Sequence, residues 1–222
     1  MDKMLQIFTD SLQTGFIDKA ILSNAEFHPE LLVNQRNPPK KVLTNILHEF
    51  DKCEEFYISV AFVTTGGVAA IINKLNVLKS RGVKGKLLVS QYLNFTQPEA
   101  LKRLMQFSNI ELRIATTGNA HAKGYIFKHK QHHTIIVGSS NLTDSALSTN
   151  KEWNIKVAAL DESGLVEKVL NEFTTDFENA TPVSTNFITA YEEVYKKQLL
   201  FTKQQQLEAT AELSAEIKPN AM

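Results

Sequence analysis

The sequence predicts an α/β fold: a mixed, mostly parallel sheet with helices on both faces and extra helices at both termini. Three observations carry that expectation. Short continuous apolar runs alternate with longer stretches of helical period, as in strands linked by crossover helices. Two later runs are separated only by a polar turn, a hairpin that makes the sheet mixed. The chain has 222 residues, 43% of them hydrophobic, which suffices for one good core.

The elements follow in order. From Asp2 to Phe16, apolar Met4, Leu5, Phe8, Leu12 and Phe16 recur at a helical period. Asn37-Pro38-Pro39 breaks the chain, and Val42, Ile46, Leu47 and Phe50 mark a second amphipathic helix. Residues 1–54 therefore read as a helical, peripheral extension packed on a core that occupies 55–180. Phe56–Val63 (FYISVAFV) is a buried strand closed by Thr64-Thr65-Gly66-Gly67. A helix over Val68–Ser80 stops at Arg81-Gly82. Lys86–Ser90 is a strand, Pro98–Phe107 a helix opened by proline, and Ile110–Ala115 a strand. A hairpin and a strand over Trp153–Leu160 complete the sheet. Helices over Glu162–Phe177 and Asn186–Glu208 follow, so 181–222 reads as a C-terminal helix and linker.

Composition narrows the function classes. No run approaches the ~18 apolar residues of a membrane span, and MDKMLQIFTDSL is not a signal peptide, so a cytoplasmic protein without membrane contact is expected. A single cysteine, Cys53, excludes an internal disulfide framework and reads as a buried structural thiol. With 24 basic against 24 acidic side chains, any nucleic-acid contact must come from local patches.

The chemistry concentrates between His121 and Val157, in HAKGYIFKHKQHHTIIVGSSNLTDSALSTNKEWNIKV. Alternate strand residues share a face, so His121 and Lys123 place a nucleophile or base beside a fixed positive charge. Ile135-Ile136-Val137 is the returning strand, and it delivers Gly138, Ser139, Ser140 and Asn141 to its end, just before a helix starting near Thr143. Small residues there expose hydroxyl and backbone N–H donors, which makes an anion pocket. Taken alone, Ser139 and Asn141 could equally be turn formers, and Glu152 a surface carboxylate.

HxK followed by GSxN and a trailing Glu resembles the catalytic motif of the phospholipase D superfamily, in particular its one-motif nuclease branch. His121, Lys123, Ser139, Asn141 and Glu152 match position by position, within a resemblance covering roughly residues 55–160. Two positions depart from the pattern. The usual Asp five residues after the Lys is Lys128, and the KHKQHH turn is about three residues longer than the compact form.

The resemblance implies a phosphodiesterase acting on DNA through a phosphohistidine, with no cofactor and no metal. One imidazole attacks phosphorus while a second protonates the leaving oxygen and later activates water. Lys123, Ser139 and Asn141, with Ser140 beside them, would hold the phosphate oxygens, and Glu152 would orient His121. The scheme needs two histidines and the chain has one HxK, which implies a two-fold homodimer with a shared site. Two other classes stay open: a binding module that only positions nucleic acid, and a phospholipid-processing enzyme.

Several further residues call for an expectation. Thr64 and Tyr92, on loops at strand ends, are candidate substrate contacts. Phe95 reads as core packing, and Lys79, Arg81, Lys84 and Lys86 as an ordinary charged face. His129, His132 and His133 read as a solvated hairpin tip rather than metal ligands. The ending Ile217-Lys218-Pro219-Asn220 resembles the entry to a superfamily-2 helicase, which implies a downstream helicase domain in a bacterial defence or repair protein.

Overall fold

The computed structural model describes residues 3–91, 94–116 and 120–216, the last seven by backbone alone. Helices α1 (Lys3–Phe16) and α2 (Val42–Lys52) flank the short strand β1 (Glu30–Leu32). Then come β2 (Glu55–Val60), α3 (Thr65–Ser80), β3 (Lys84–Ser90), α4 (Pro98–Leu104) and β4 (Ile110–Ala115). The hairpin β5 (Gly124–Lys128) and β6 (His132–Gly138) is followed by α5 (Asp144–Ser148) and β7 (Asn154–Leu160). Helix α6 (Gly164–Asn179), β8 (Thr181–Pro182) and the long α7 (Thr185–Glu216) end the described chain.

The strands form one sheet in the order β1-β7-β6-β5-β2-β3-β4-β8. It is mixed as expected, but mostly antiparallel. Only β2–β3 and β3–β4 run parallel. The reason is the connections. A parallel pair needs a long crossover, and α3 and α4 are the two helices that provide one. From β5 onward the chain turns back on itself, and β1 and β8 join the edges antiparallel.

Strand alternation builds two apolar layers. Phe56, Ile58 and Val60 of β2 join Leu87, Val89, Tyr125, Phe127 and Ile136 in the main core. Helix α2 belongs to that core through Val42, Ile46 and Phe50, so residues before 55 are partly interior. On the other face Leu88, Ile126 and Ile135 lie under Val166, Phe173 and Phe177 of α6. Ile188 and Tyr191 dock α7 on the main core, and the Tyr191 hydroxyl donates to Thr96 O at 2.8 Å. Farther along α7, Leu199, Leu200, Phe201 and Leu207 are exposed. No described helix is long and apolar enough to cross a membrane.

Two local expectations are corrected. The hairpin tip is not solvated: His129 and His133 are buried and His132 half-buried. His129 Nε2 lies 3.0 Å from Glu49 of α2, and its ring stacks on His132 at 4.5 Å. Phe8 of α1 and Phe27 close over His132 edge-on. His133 Nδ1 pairs with Asp161 at 2.8 Å. Helices distant in sequence cover the tip, which no local pattern reveals. Phe95, expected in the core, is exposed and meets Phe62 edge-on. Cys53 is fully buried, and burial pushes its thiol up to about 12.

Candidate active site

The expected site residues gather at one end of the central strands. His121 and Lys123 immediately precede β5, and Ser139, Ser140 and Asn141 leave the end of β6 beside it. Glu152 lies just before β7, which pairs with β6 along its length. Gly138 is required at this junction. A Cβ there would stand 2.2 Å from Trp153 O and 2.5 Å from Asn154 Oδ1.

His121 is exposed, whereas Lys123 keeps only 7% of its surface. Lys123 Nζ lies 2.8 Å from His121 Nδ1 and donates to the His121 carbonyl at 2.6 Å. Burial holds the Lys123 pKa below its ordinary value, and the Glu152 carboxylate opposes that shift by favouring the cation. An imidazole and an ammonium therefore share one strand end.

Ser139 and Glu152 form the second half. The Ser139 hydroxyl donates to the Glu152 carboxylate in a short contact. The two strands are sewn together here, since Trp153 N donates to Ser139 Oγ at 3.1 Å and Ser139 N to Trp153 O at 3.0 Å. Asn141 is buried, and its Oδ1 accepts from Ala61 N at 3.0 Å and Phe62 N at 3.3 Å. That bond ties the end of β2 to the motif and leaves the amide Nδ2 as the donor suited to a phosphate oxygen.

Ser140 is corrected to a structural role. It is fully buried, with its hydroxyl between Asn154 Nδ2 at 2.9 Å and Ala146 O at 3.4 Å. Its carbonyl accepts from the Tyr125 hydroxyl at 3.1 Å. Of the two adjacent serines, only Ser139 is open to a ligand.

A cleft of about 490 Å³ opens alongside, lined by Phe62, Thr64, Gln97, Asn141, Asp144 and Glu152. Thr64 lines it, and its hydroxyl caps α3 by accepting from Gly67 N at 3.2 Å. Helix α3 comes this close because residue 67 is glycine: a Cβ would stand 1.9 Å from Leu142 O. Tyr92 lies outside the described residues. Sequence reasoning missed Gln97, which accepts from Thr65 N at 2.7 Å, and the buried brace Asn154. Asn154 had a findable signal, because it starts β7 directly opposite Gly138. Among the described residues, no group of three or more His, Cys, Asp or Glu side chains is placed to hold a metal ion.

Comparison with known proteins agrees with this fold. The family model described as "Cardiolipin synthase, PLD-like domain" matches residues 46–179. No curated protein matches in sequence. Among solved structures, NucT from Helicobacter pylori is similar with a TM-score of 0.55 and 20% identity, over 71% of this chain and 99% of that one. Nuc from Salmonella typhimurium, titled a phospholipase D family member, has a TM-score of 0.55 and 19% identity, over 71% and 100%. Phosphatidylserine synthase from Haemophilus influenzae Rd KW20 has a TM-score of 0.55 and 13% identity, over 81% of this chain and 46% of that one. At these identities the likeness is one of fold. The family model spans more than half of the sequence and includes every residue of the HxK–GSxN–Glu constellation, so the chain belongs to the phospholipase D-like domain family.

Proposed function

We propose that this chain is a metal-independent phosphodiesterase that cleaves DNA through a phosphohistidine on His121. The carrying observation is the exposed His121 imidazole held 2.8 Å from the Lys123 ammonium, beside the Ser139–Glu152 pair. In the first step a neutral His121 nitrogen attacks phosphorus and the P–O bond to the leaving group breaks. A protonated second imidazole gives its proton to the departing oxygen. In the second step that imidazole takes a proton from water, which attacks phosphorus and breaks the P–N bond. Both histidines return to their starting states. Lys123, Ser139 and Asn141 Nδ2 stabilise the charge that builds on the non-bridging oxygens.

The chain carries one HxK, so the second imidazole is the His121 of a second copy related by a two-fold axis. Glu152 orients His121 in this scheme. The cytoplasmic setting and a downstream helicase domain belong to the same proposal; the segment suggesting the helicase, 217–222, lies outside the described residues.

A phospholipid phosphodiester is the second reading, favoured by the wording of the matching family description. The test is cleavage of labelled DNA in EDTA, with anionic phospholipid vesicles run in parallel. Wild type is expected to cut the DNA, and His121→Ala to lose at least ~10²-fold in rate while keeping its fold. DNA cleavage that EDTA abolishes and Mg²⁺ restores would overturn the scheme, and turnover of phospholipid alone would select the second reading.

A further inference from the structure

Trp153 is the only tryptophan in the chain, and it is 72% exposed. Its backbone is fixed to Ser139 in both directions, next in sequence to Glu152, which accepts from the Ser139 hydroxyl. Two residues on in an extended strand lies Ile155, a spacing that puts both on one side of the sheet. The register sets Val137 opposite Ile155, and Gly124 opposite Val137. Val137 is 50% exposed and Ile155 43%, and a Cβ added at Gly124 would meet nothing within 4 Å. From Gly124 and Lys123 the surface drops into a cavity of about 320 Å³, where Ile126 and Phe173 are joined by Lys168 and Glu172.

A flat aromatic ring, an aliphatic floor and a small apolar cavity thus lie along one face of the strands whose ends carry the candidate phosphate site. A phosphodiester held by Ser139 and Lys123 has substituents on both sides, and these are the surfaces they would meet. Stacking on an aromatic ring needs a free π-face, which a nucleobase in a single strand has and one inside a duplex lacks. The cavity is lined mainly by apolar side chains, which suit the flat face of a base, and Lys168 and Glu172 at its wall supply a donor and an acceptor for a base edge.

We propose that Trp153, Val137 and the cavity beside Gly124 form a base-holding subsite, so that the site takes single-stranded nucleic acid. The proposal rests on the phosphodiesterase reading for where the phosphate sits, but its binding prediction stands apart from turnover. The sole tryptophan makes the test direct. Full-length His121→Ala protein, which removes cleavage, is titrated in EDTA with single-stranded oligo-dT, with a duplex of equal length, and with anionic phospholipid vesicles. The single strand should quench the tryptophan emission saturably, with the duplex binding at least tenfold more weakly. By anisotropy of a labelled oligonucleotide, Trp153→Ala should weaken binding by about tenfold to a hundredfold, the range for one base on one ring. Trp153→Phe should restore most of it. Binding that saturates without changing the emission would overturn the subsite, and so would equal quenching by the duplex. Quenching by vesicles alone would assign the surface to lipid, and a dimer that Trp153→Ala splits into monomers would assign it to a protein interface. His121-dependent cleavage without quenching sinks the subsite alone; quenching in a protein that cleaves no diester sinks the enzymatic reading alone.

Discussion

In the proposed scheme Lys123 must be charged to hold a phosphate, yet it is nearly buried, and burial opposes the charge. Burial lowers its pKa, Glu152 offsets part of that loss, and the His121 carbonyl and ring take up its donors. Its charge acts where little water screens it. Replacing Lys123 with Met should therefore cost about 10²–10³ in rate with little change in thermal midpoint, measured on the same DNA substrate. A Lys123→Met protein cutting at the wild-type rate would remove Lys123 from the scheme. At this scale the sequence was informative about residue type and less so about environment. The structure sets the His121 and Lys123 side chains in contact, and that they share a face was readable because strand alternation is a local rule. The different fates of Ser139 and Ser140 were not, because Ser140 is claimed by Asn154, fourteen residues away.

Among the elements, the hairpin β5–β6 has two dissimilar ends. One carries the motif, while the other is buried under α1 and α2. Burial, aided by neighbouring His129, pushes the His132 pKa down to about 4. Burial likewise lowers His133, while the bond from His129 holds Glu49 below its usual range despite burial. Each folded-state pKa is depressed, so the unfolded chain binds more protons as pH falls. The stability these groups contribute is present above the unfolded histidine value near 6.5 and is lost as pH falls toward 4. The thermal midpoint should therefore drop between pH 6.5 and 4, and less steeply in His132→Phe, whose ring suits the space between Phe8 and Phe27. An equal slope in both proteins would remove His132 as the main contributor. This covering was illegible in the sequence, since α1 and α2 come about eighty residues or more before the tip. Strands β2, β3 and β4 were legible as apolar runs. The three-residue β1 and two-residue β8 exist only because a sheet edge was there to pair with them.

For the whole molecule, the mixed sheet brings residues far apart in sequence to one end of its central strands. Two parallel crossovers place the ends of β2 and β3, and the antiparallel half returns β5, β6 and β7 beside them. The expected sheet was mixed as found but less parallel than expected, because the edge strands β1 and β8 were not foreseen and every pairing that involves β5, β6 or β7 is antiparallel. The fold class was nonetheless readable in the alternation of apolar runs and helical stretches. The shared-site proposal follows from needing two imidazoles where the chain has one HxK.

The most direct measurement is mass spectrometry of wild-type protein mixed with DNA in EDTA and quenched in alkali, where phosphohistidine survives. A nucleotide adduct should appear on His121, absent in His121→Ala and formed more slowly in Lys123→Met. Efficient metal-free cleavage with no adduct on His121 at any time point, or an adduct on another residue, would contradict the assignment of His121 as nucleophile.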